Sequence, residues 1–209
     1  IIFTIIFGKL AKFPSGNVPY PILVFAAMLP WQFFANALSE CSNSLISNAN
    51  LVSKVYFPRL IVPTSAVVVS FIDFLISSTI LVGLMIWYQY PPTWGILLLP
   101  LLVLLAFITA LGAGLWFASL NIKYRDFRFI VPFVVQFGLY VSPVGFSSNI
   151  VPEQWRLLYS VNPMVGVIDG FRWAILGQDA QLYWPGFMLS IGLVLLLLSS
   201  GIWHFRKTE

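Results

Sequence analysis

Two stretches carry the residues best suited to contact chemistry in this 209-residue chain. The first, residues 48–63, reads NANLVSKVYFPRLIVP. Leu51, Val52, Val55 and Tyr56 recur at one-turn spacing, which predicts a short amphipathic helix. Pro58, behind Phe57, ends it, because the residue before a proline is pushed out of helical space. Lys54 and Arg59 flank it. Such a segment reads either as an interfacial loop anchored by snorkelling basic residues and Tyr56, or as a docking helix pressed into a cytoplasmic partner. The second stretch, residues 121–129, reads NIKYRDFRF. After Lys123 and Tyr124, Arg125 or Arg128 can cap the carbonyls of a preceding helix. Asp126 suits the start of the next. A partner contact is compatible with both roles.

Two acids fall inside apolar runs. Asp73 lies between Ile72 and Phe74, where a carboxylate must be paired, hydrated or protonated. It reads as an interhelical hydrogen-bonding group or as part of a cation relay, and no intramembrane charge of opposite sign is visible beside it. Glu40 is shallower, in a polar patch with Asn36, Ser39, Ser42, Asn43 and Ser44 that must face protein or an aqueous path. Trp31, Phe34, Phe137 and Tyr140 read either as part of an interfacial aromatic belt at helix ends or as candidates for a substrate path, since flat aromatic faces suit sugar rings and Pro132 and Pro143 interrupt the last pair's helix. Ala110, Gly114 and Ala118, with Gly112 nearby, form a small-residue stripe for close helix approach within one subunit or between two. In the outer loop, Arg156, Asp169 and Arg172 are the only convergent polar set an enzyme could use, and they read equally as salt-bridged structure. The chain has no G-x-x-x-x-G-K-[ST] and no H-E-x-x-H, and His204 is its only histidine. It therefore lacks a P-loop, a histidine-built metal site and a plausible Ser-His-Asp triad. Cys41 is alone, so no internal disulfide forms. His204 reads as a helix-end residue.

The elements that must position these residues are membrane helices. Only 9% of residues are charged, against about 25% in a soluble domain, while 59% are hydrophobic and mean hydropathy is +0.91. The apolar residues fall in runs long enough to cross a bilayer, which needs about 20 of them. Complete spans are expected near 21–46, 60–88, 94–120, 127–146 and 183–205. A partial span at 1–7, opening on Ile1 without a basic n-region or cleavage site, is read as a truncated start. The count is then six, all helical, in a single domain over residues 1–209. The loop 147–182 is apolar in parts and broken at Asn162-Pro163, which predicts two short helices in or dipping into the interface. Seven of the eleven Lys and Arg residues (Lys54, Arg59, Lys123, Arg125, Arg128, Arg206 and Lys207) fall on one side, which makes that side and the C-terminus cytoplasmic. Lys9, Lys12, Arg156 and Arg172 fall on the other. The net charge of +4 is therefore a topology signal rather than a nucleic-acid signal.

The order of motifs resembles one family. P-W-x-F-F (Pro30, Trp31, Phe33, Phe34) precedes N-x-x-L-V-x-K-V-Y-F-P-R (Asn48 to Arg59) and N-I-K-Y-R-D-F (Asn121 to Phe127). Q-x-x-x-Y-x-S-P-V (Gln136 to Val144) follows, then N-P-M (Asn162, Pro163, Met164), Arg172 and Gly177. This arrangement is similar to the membrane subunit of ABC-2 type polysaccharide and polyol-phosphate exporters, which move lipid-linked O-antigen, capsule or teichoic acid. The resemblance implies a non-enzymatic permease of six helices, homodimeric, in the bacterial inner membrane. One cytoplasmic ATP-binding subunit under each copy would hold ATP and Mg, with no cofactor bound by this chain. Residues 48–59 match the helix that couples to the ATPase, and residues 121–126 a second contact. The segment from Pro143 to Gly177, including Asn162, Pro163 and Arg172, matches an outward loop with re-entrant helices. The resemblance further implies a cytoplasmic amphipathic helix before the first span. The competing expectations are an ABC-2 drug or lipid exporter, an ion-coupled secondary transporter using Asp73, and a membrane-embedded glycan polymerase.

Overall fold

The structure is a computed structural model that describes residues 18–54, 58–91, 93–124, 126–177, 180 and 182–208. The partial span 1–7, Lys9 and Lys12 therefore lie outside the described residues, as do Val55, Tyr56, Phe57 and Arg125. Every regular element among the described residues is helical: α1 (Tyr20–Ser47), α2 (Ala49–Lys54), α3 (Ile61–Trp87), α4 (Leu99–Lys123), α5 (Phe127–Val141), α6 (Glu153–Tyr159), α7 (Pro163–Leu176) and α8 (Trp184–Thr208). Four segments are long and apolar enough to cross a membrane: α1, α3, α4 with the preceding 3-10 turn Trp94–Leu98, and α8. They agree with the expected spans to within a few residues at each end.

The expected span at 127–146 differs. Its helix stops at Val141 after 15 residues. Ser142 turns extended (ψ 152°) because Pro143 follows it. At about 1.5 Å per residue such a helix covers roughly three quarters of a hydrocarbon core. The chain continues in an irregular segment, residues 142–147, toward α6 and α7.

α1 is the central helix. It packs along both α3 and α4 and also touches α5 and α7. Phe33 of α1 meets Phe71 and Phe74 of α3 and Phe107 of α4 at ring-centroid distances of 6.1, 5.5 and 6.4 Å, and Phe171 of α7 closes on Phe74 at 6.1 Å. Aromatic clusters of this kind add packing beyond area burial. The small-residue stripe works within the subunit. The backbone of Gly112 lies directly against Leu198 and Gly201 of α8, and Gly114 lies against Cys41 of α1. On the same α4–α8 seam the Trp116 indole donates to Ser200 Oγ at 3.0 Å, and its ring stacks on His204 at 4.3 Å. The outer faces of α3 and α8 are apolar and exposed in the subunit, as hydrocarbon contact requires.

α6 and α7 are the two short helices expected either side of Asn162-Pro163. α7 does not lie with one face open, as an interfacial helix would. It is buried nearly all round, against α1, α4 and α8. Gly166 lets Ser190 of α8 approach, and Gly170 admits Leu102 of α4.

Candidate functional site

The polar residues collect at three levels of the bundle. At one end, Leu45, Val62, Leu115 and Phe205 share a small core. The C-termini of α1, α4 and α8 and the N-terminus of α3 therefore lie together. α2 follows α1 here, and Lys54, Pro58 and Arg59 are exposed. Lys123, Tyr124 and Asp126 are exposed on the adjoining α4–α5 turn, with Arg206 and Lys207 on the last turn of α8. Leu51 belongs to α2 by backbone, but its side chain lies outside the described residues, as Tyr56, Phe57 and Arg125 do altogether. A buried clamp joins the helices that lead into the two contact segments. Asn121 Nδ2 donates to the Ser42 carbonyl at 2.9 Å, tying the end of α4 to α1. Asn121 Oδ1 has no partner among the described residues. The helix-end roles expected of the α4–α5 turn take another form. Asp126 stands at the N-cap of α5, but its side chain makes no capping bond, because its own backbone is already helical. Arg128 lies over the Phe129 ring at 4.8 Å, and Lys123 over Tyr124 at 5.3 Å.

At mid-depth, α1 turns one polar edge away from the core. Gln32, Asn36 and Glu40 follow at intervals of four and are all exposed, while Trp31, Phe33, Ala35, Ala37 and Cys41 beside them are buried. Gln32 Nε2 donates to Asn36 Oδ1 at 2.9 Å. Asp73 lies across from them on α3. Gln32, Asn36, Ser70, Asp73 and Ser77 line one cavity of about 260 Å³, with Phe33 and Phe74 behind them. The polar patch on α1 thus splits: Ser42 and Ser44 are buried, whereas Glu40 and Asn36 face out. Gln32 and Ser77 were not among the residues singled out in the sequence, although the i, i+4, i+8 spacing of Gln32, Asn36 and Glu40 was available as a signal.

The aromatic candidates also separate. Trp31 is 4% exposed, wedged against Gly138 of α5, with Phe34 beside it at 5.6 Å. Phe137 and Tyr140 are 59% and 68% exposed on the open face of α5, Phe137 stacked on Phe133 at 5.9 Å.

At the opposite end, side chains capture the carbonyls of the segment that follows α5. Arg172, only 3% exposed, donates from Nη2 to the Val144 carbonyl at 2.8 Å and from Nη1 to that of Phe146 at 2.6 Å. Its Nε points to Leu23 of α1 at 3.4 Å. Tyr20 donates to the Gly145 carbonyl at 3.0 Å, and Tyr159 to that of Val141 at 2.8 Å. Asn162 Nδ2 donates to Ser142 Oγ at 3.0 Å, while its Oδ1 accepts from Met164 N at 3.1 Å and so caps α7, with Pro163 at the first helical position. Sequence reading named Asn162, Pro163 and Arg172 here but missed Tyr20 and Tyr159, which are distant in the chain and share no pattern. Arg156 also serves backbone, donating to the carbonyls of Val151 and Asn149. Two of the three polar groups that an enzyme could use are thereby committed to structure.

Asp169 sits near these guanidinium groups. Burial pushes its carboxyl up to about 6, against the opposing pull of Ser148, Arg172 and Arg156. Burial lowers Arg172, to about 10, so it stays charged at neutral pH. A carboxyl raised above its unfolded value binds its proton more tightly in the fold, so stability is highest below the unfolded value of 3.8 and falls as pH rises from there to about 6. The expected result is a falling unfolding temperature between pH 4 and pH 6 for the purified protein. Asp169→Asn should flatten that slope, and an unchanged slope in the variant would mean that another group carries it.

The sequence matches the ABC-2 type transporter family over residues 1–176. The chain belongs to the ABC-2 type transporter family. Its relatives include the O-antigen export system permease protein RfbA of Myxococcus xanthus, 29% identical over 200 residues that cover 92% of this chain and 76% of that protein. The corresponding RfbA protein of Klebsiella pneumoniae is 25% identical over 192 residues, 90% of this chain and 73% of the relative. The polysialic acid transport protein KpsM of Escherichia coli is 21% identical over 208 residues, 97% of this chain and 79% of that protein. An ABC-2 membership and several apolar spans make this a multi-pass membrane protein. The relatives are transporter permeases rather than enzymes.

Proposed function

We propose that this ABC-2 chain is the membrane subunit of an ATP-driven polysaccharide exporter of the bacterial inner membrane. It works as a homodimer of six-helix subunits with two copies of a cytoplasmic ATP-binding subunit, which hold the ATP and Mg. The substrate is a lipid-linked glycan or polyol phosphate. The C-terminus is cytoplasmic, and α6 and α7 re-enter the outer side of the membrane. The observation that carries the reading is the gathering of α2, Lys54, Arg59, Lys123 and Tyr124 at one end of the bundle, in a chain whose relatives are named as O-antigen and polysialic acid transport proteins.

The mechanism follows from how α2 is hung. It sits between α1 and α3, which pack along their lengths. A displacement of α2 by nucleotide-driven closure of the ATP-binding subunit acts on both helices as rigid rods. Through the Asn121–Ser42 clamp it also acts on α4. The polar edge of α1 and the Asp73 cavity lie on these same helices, so movement at the docking end reaches the path at mid-depth. Such coupling requires two discrete arrangements of the α1–α3 pair rather than a continuous deformation.

The test is charge reversal on the docking end. Lys54→Glu with Arg59→Glu should reduce co-purification of the ATP-binding subunit at least tenfold and abolish surface glycan, while the permease remains folded and membrane-inserted. Wild-type recruitment together with wild-type export would reject the docking surface.

A further inference from the structure

We infer that the cavity between α1 and α3 is a mid-membrane subsite for an uncharged, hydroxyl-bearing glycan segment, and that its carboxylates exclude polyanionic chains. The inference rests on the export reading above and narrows its substrate to an uncharged glycan, setting aside the polyol phosphate, which is a polyanion. The residues are Gln32, Asn36, Asp73 and Ser77, with the rings of Phe33 and Phe74 behind them in about 260 Å³.

Three features specify the occupant. First, hydrogen-bonding capacity is left over. The Gln32–Asn36 bond uses one donor and one acceptor, leaving the Gln32 carbonyl and the Asn36 amide N–H groups unengaged. Asp73 has no hydrogen-bond or ionic partner among the described residues. A set of neighbouring acceptors with an amide donor matches vicinal hydroxyls, which both donate and accept. Hydrocarbon tails would leave every one of these groups unsatisfied. Second, the back of the cavity is apolar, lined by Phe25, Met28, Leu29 and Ile80 with Phe33 and Phe74 buried in the aromatic cluster behind, so it takes the C–H groups of a sugar rather than charge. Third, the fixed charges of α1 and α3 at this depth, among the described residues, have one sign. Asp73 is at mid-helix on α3, and Glu40 lies two turns from Gln32 on the same edge of α1, about 12 Å away toward the docking end. No Lys or Arg occurs between residues 20 and 53 or between residues 60 and 122. A path wall bearing carboxylates of one sign repels a passing anion of that sign, as charged rings do in cation-selective pores.

The experiment uses the complete transporter, permease with its ATP-binding subunit, in nanodiscs. The only native cysteine is removed by Cys41→Ser, and single cysteines are introduced as Asn36→Cys or Ser77→Cys, with Ile76→Cys as a lipid-facing control. A quaternary-ammonium methanethiosulfonate reagent should label positions 36 and 77 at least tenfold faster than position 76. Maltoheptaose should slow that labelling several-fold, and oligogalacturonate of equal length should not. Adding Asp73→Lys to Asn36→Cys should let oligogalacturonate protect. Equal protection by both oligomers with Asp73 present, or by neither, overturns the inference. So does slow labelling at position 36 accompanied by disulfide formation between two copies, which would make this edge a dimer contact. Recruitment of the ATP-binding subunit, read in the same samples, reports on the export reading independently.

Discussion

Arg172→Ala will give a permease that is strongly destabilised, with the midpoint of thermal aggregation in detergent lowered and little protein reaching the membrane. The side chain is buried, and its guanidinium is the partner of the Val144 and Phe146 carbonyls and approaches that of Leu23. Truncation to Ala leaves these buried acceptors without their donor. Each unsatisfied buried carbonyl costs about 1–3 kcal/mol, so the whole loss is about 3–5 kcal/mol, in the range for breaking a buried charged network. Arg172→Lys should recover only part of it. An ammonium keeps the charge but has no planar fork to reach carbonyls at separated positions. Size-exclusion chromatography after graded heating distinguishes the three proteins. If Arg172→Ala elutes and melts like the parent, the segment after α5 is held by Tyr20, Tyr159 and Asn162 alone.

The second large effect is expected at Gly112. A Cβ there would meet Leu198 N at 2.8 Å and Leu198 Cα at 2.9 Å. These are backbone atoms of α8, which no rotamer change can clear, so α4 and α8 must part along the seam that holds Trp116, Ser200 and His204. Overpacking of this kind costs about 1–3 kcal/mol or more. Gly112→Leu should therefore lower the melting midpoint by many degrees and Gly112→Ala by less. Gly83→Ala supplies the control. A Cβ at Gly83 meets nothing within 4 Å on the lipid-facing side of α3, and Ala is the better helix former. Its midpoint should be unchanged or slightly raised. Equal effects at Gly112 and Gly83 would show that the α4–α8 approach contributes nothing to stability.

Both effects fall on residues whose types the sequence singled out for other reasons. Gly112 stood near a small-residue stripe, and the stripe itself could not say whether its partner lay in the same subunit. Leu198 and Cys41 answer that, because close approach depends on which helix is adjacent. Arg172 appeared as one of three outer-loop groups open to an enzymatic or a salt-bridged role. Its carbonyl partners come from positions 26, 28 and 149 residues away, so no local pattern could reveal them.

The sequence by itself determined what hydropathy and local chemistry control. It set the membrane class, four long spans to within a few residues, the break at Asn162-Pro163 and the family. It also placed Lys54, Arg59 and Lys123 on one side, because alternation of spans fixes sidedness without any knowledge of packing. Only the tertiary structure decided which helix is central and that α7 is buried rather than surface-lying. It alone brought the polar edge of α1 to Asp73 on α3. Those outcomes depend on interdigitation of side chains from distant segments. In hydrocarbon no hydrophobic force between helices selects one apolar face over another, so close packing at small residues and a few polar contacts make the choice.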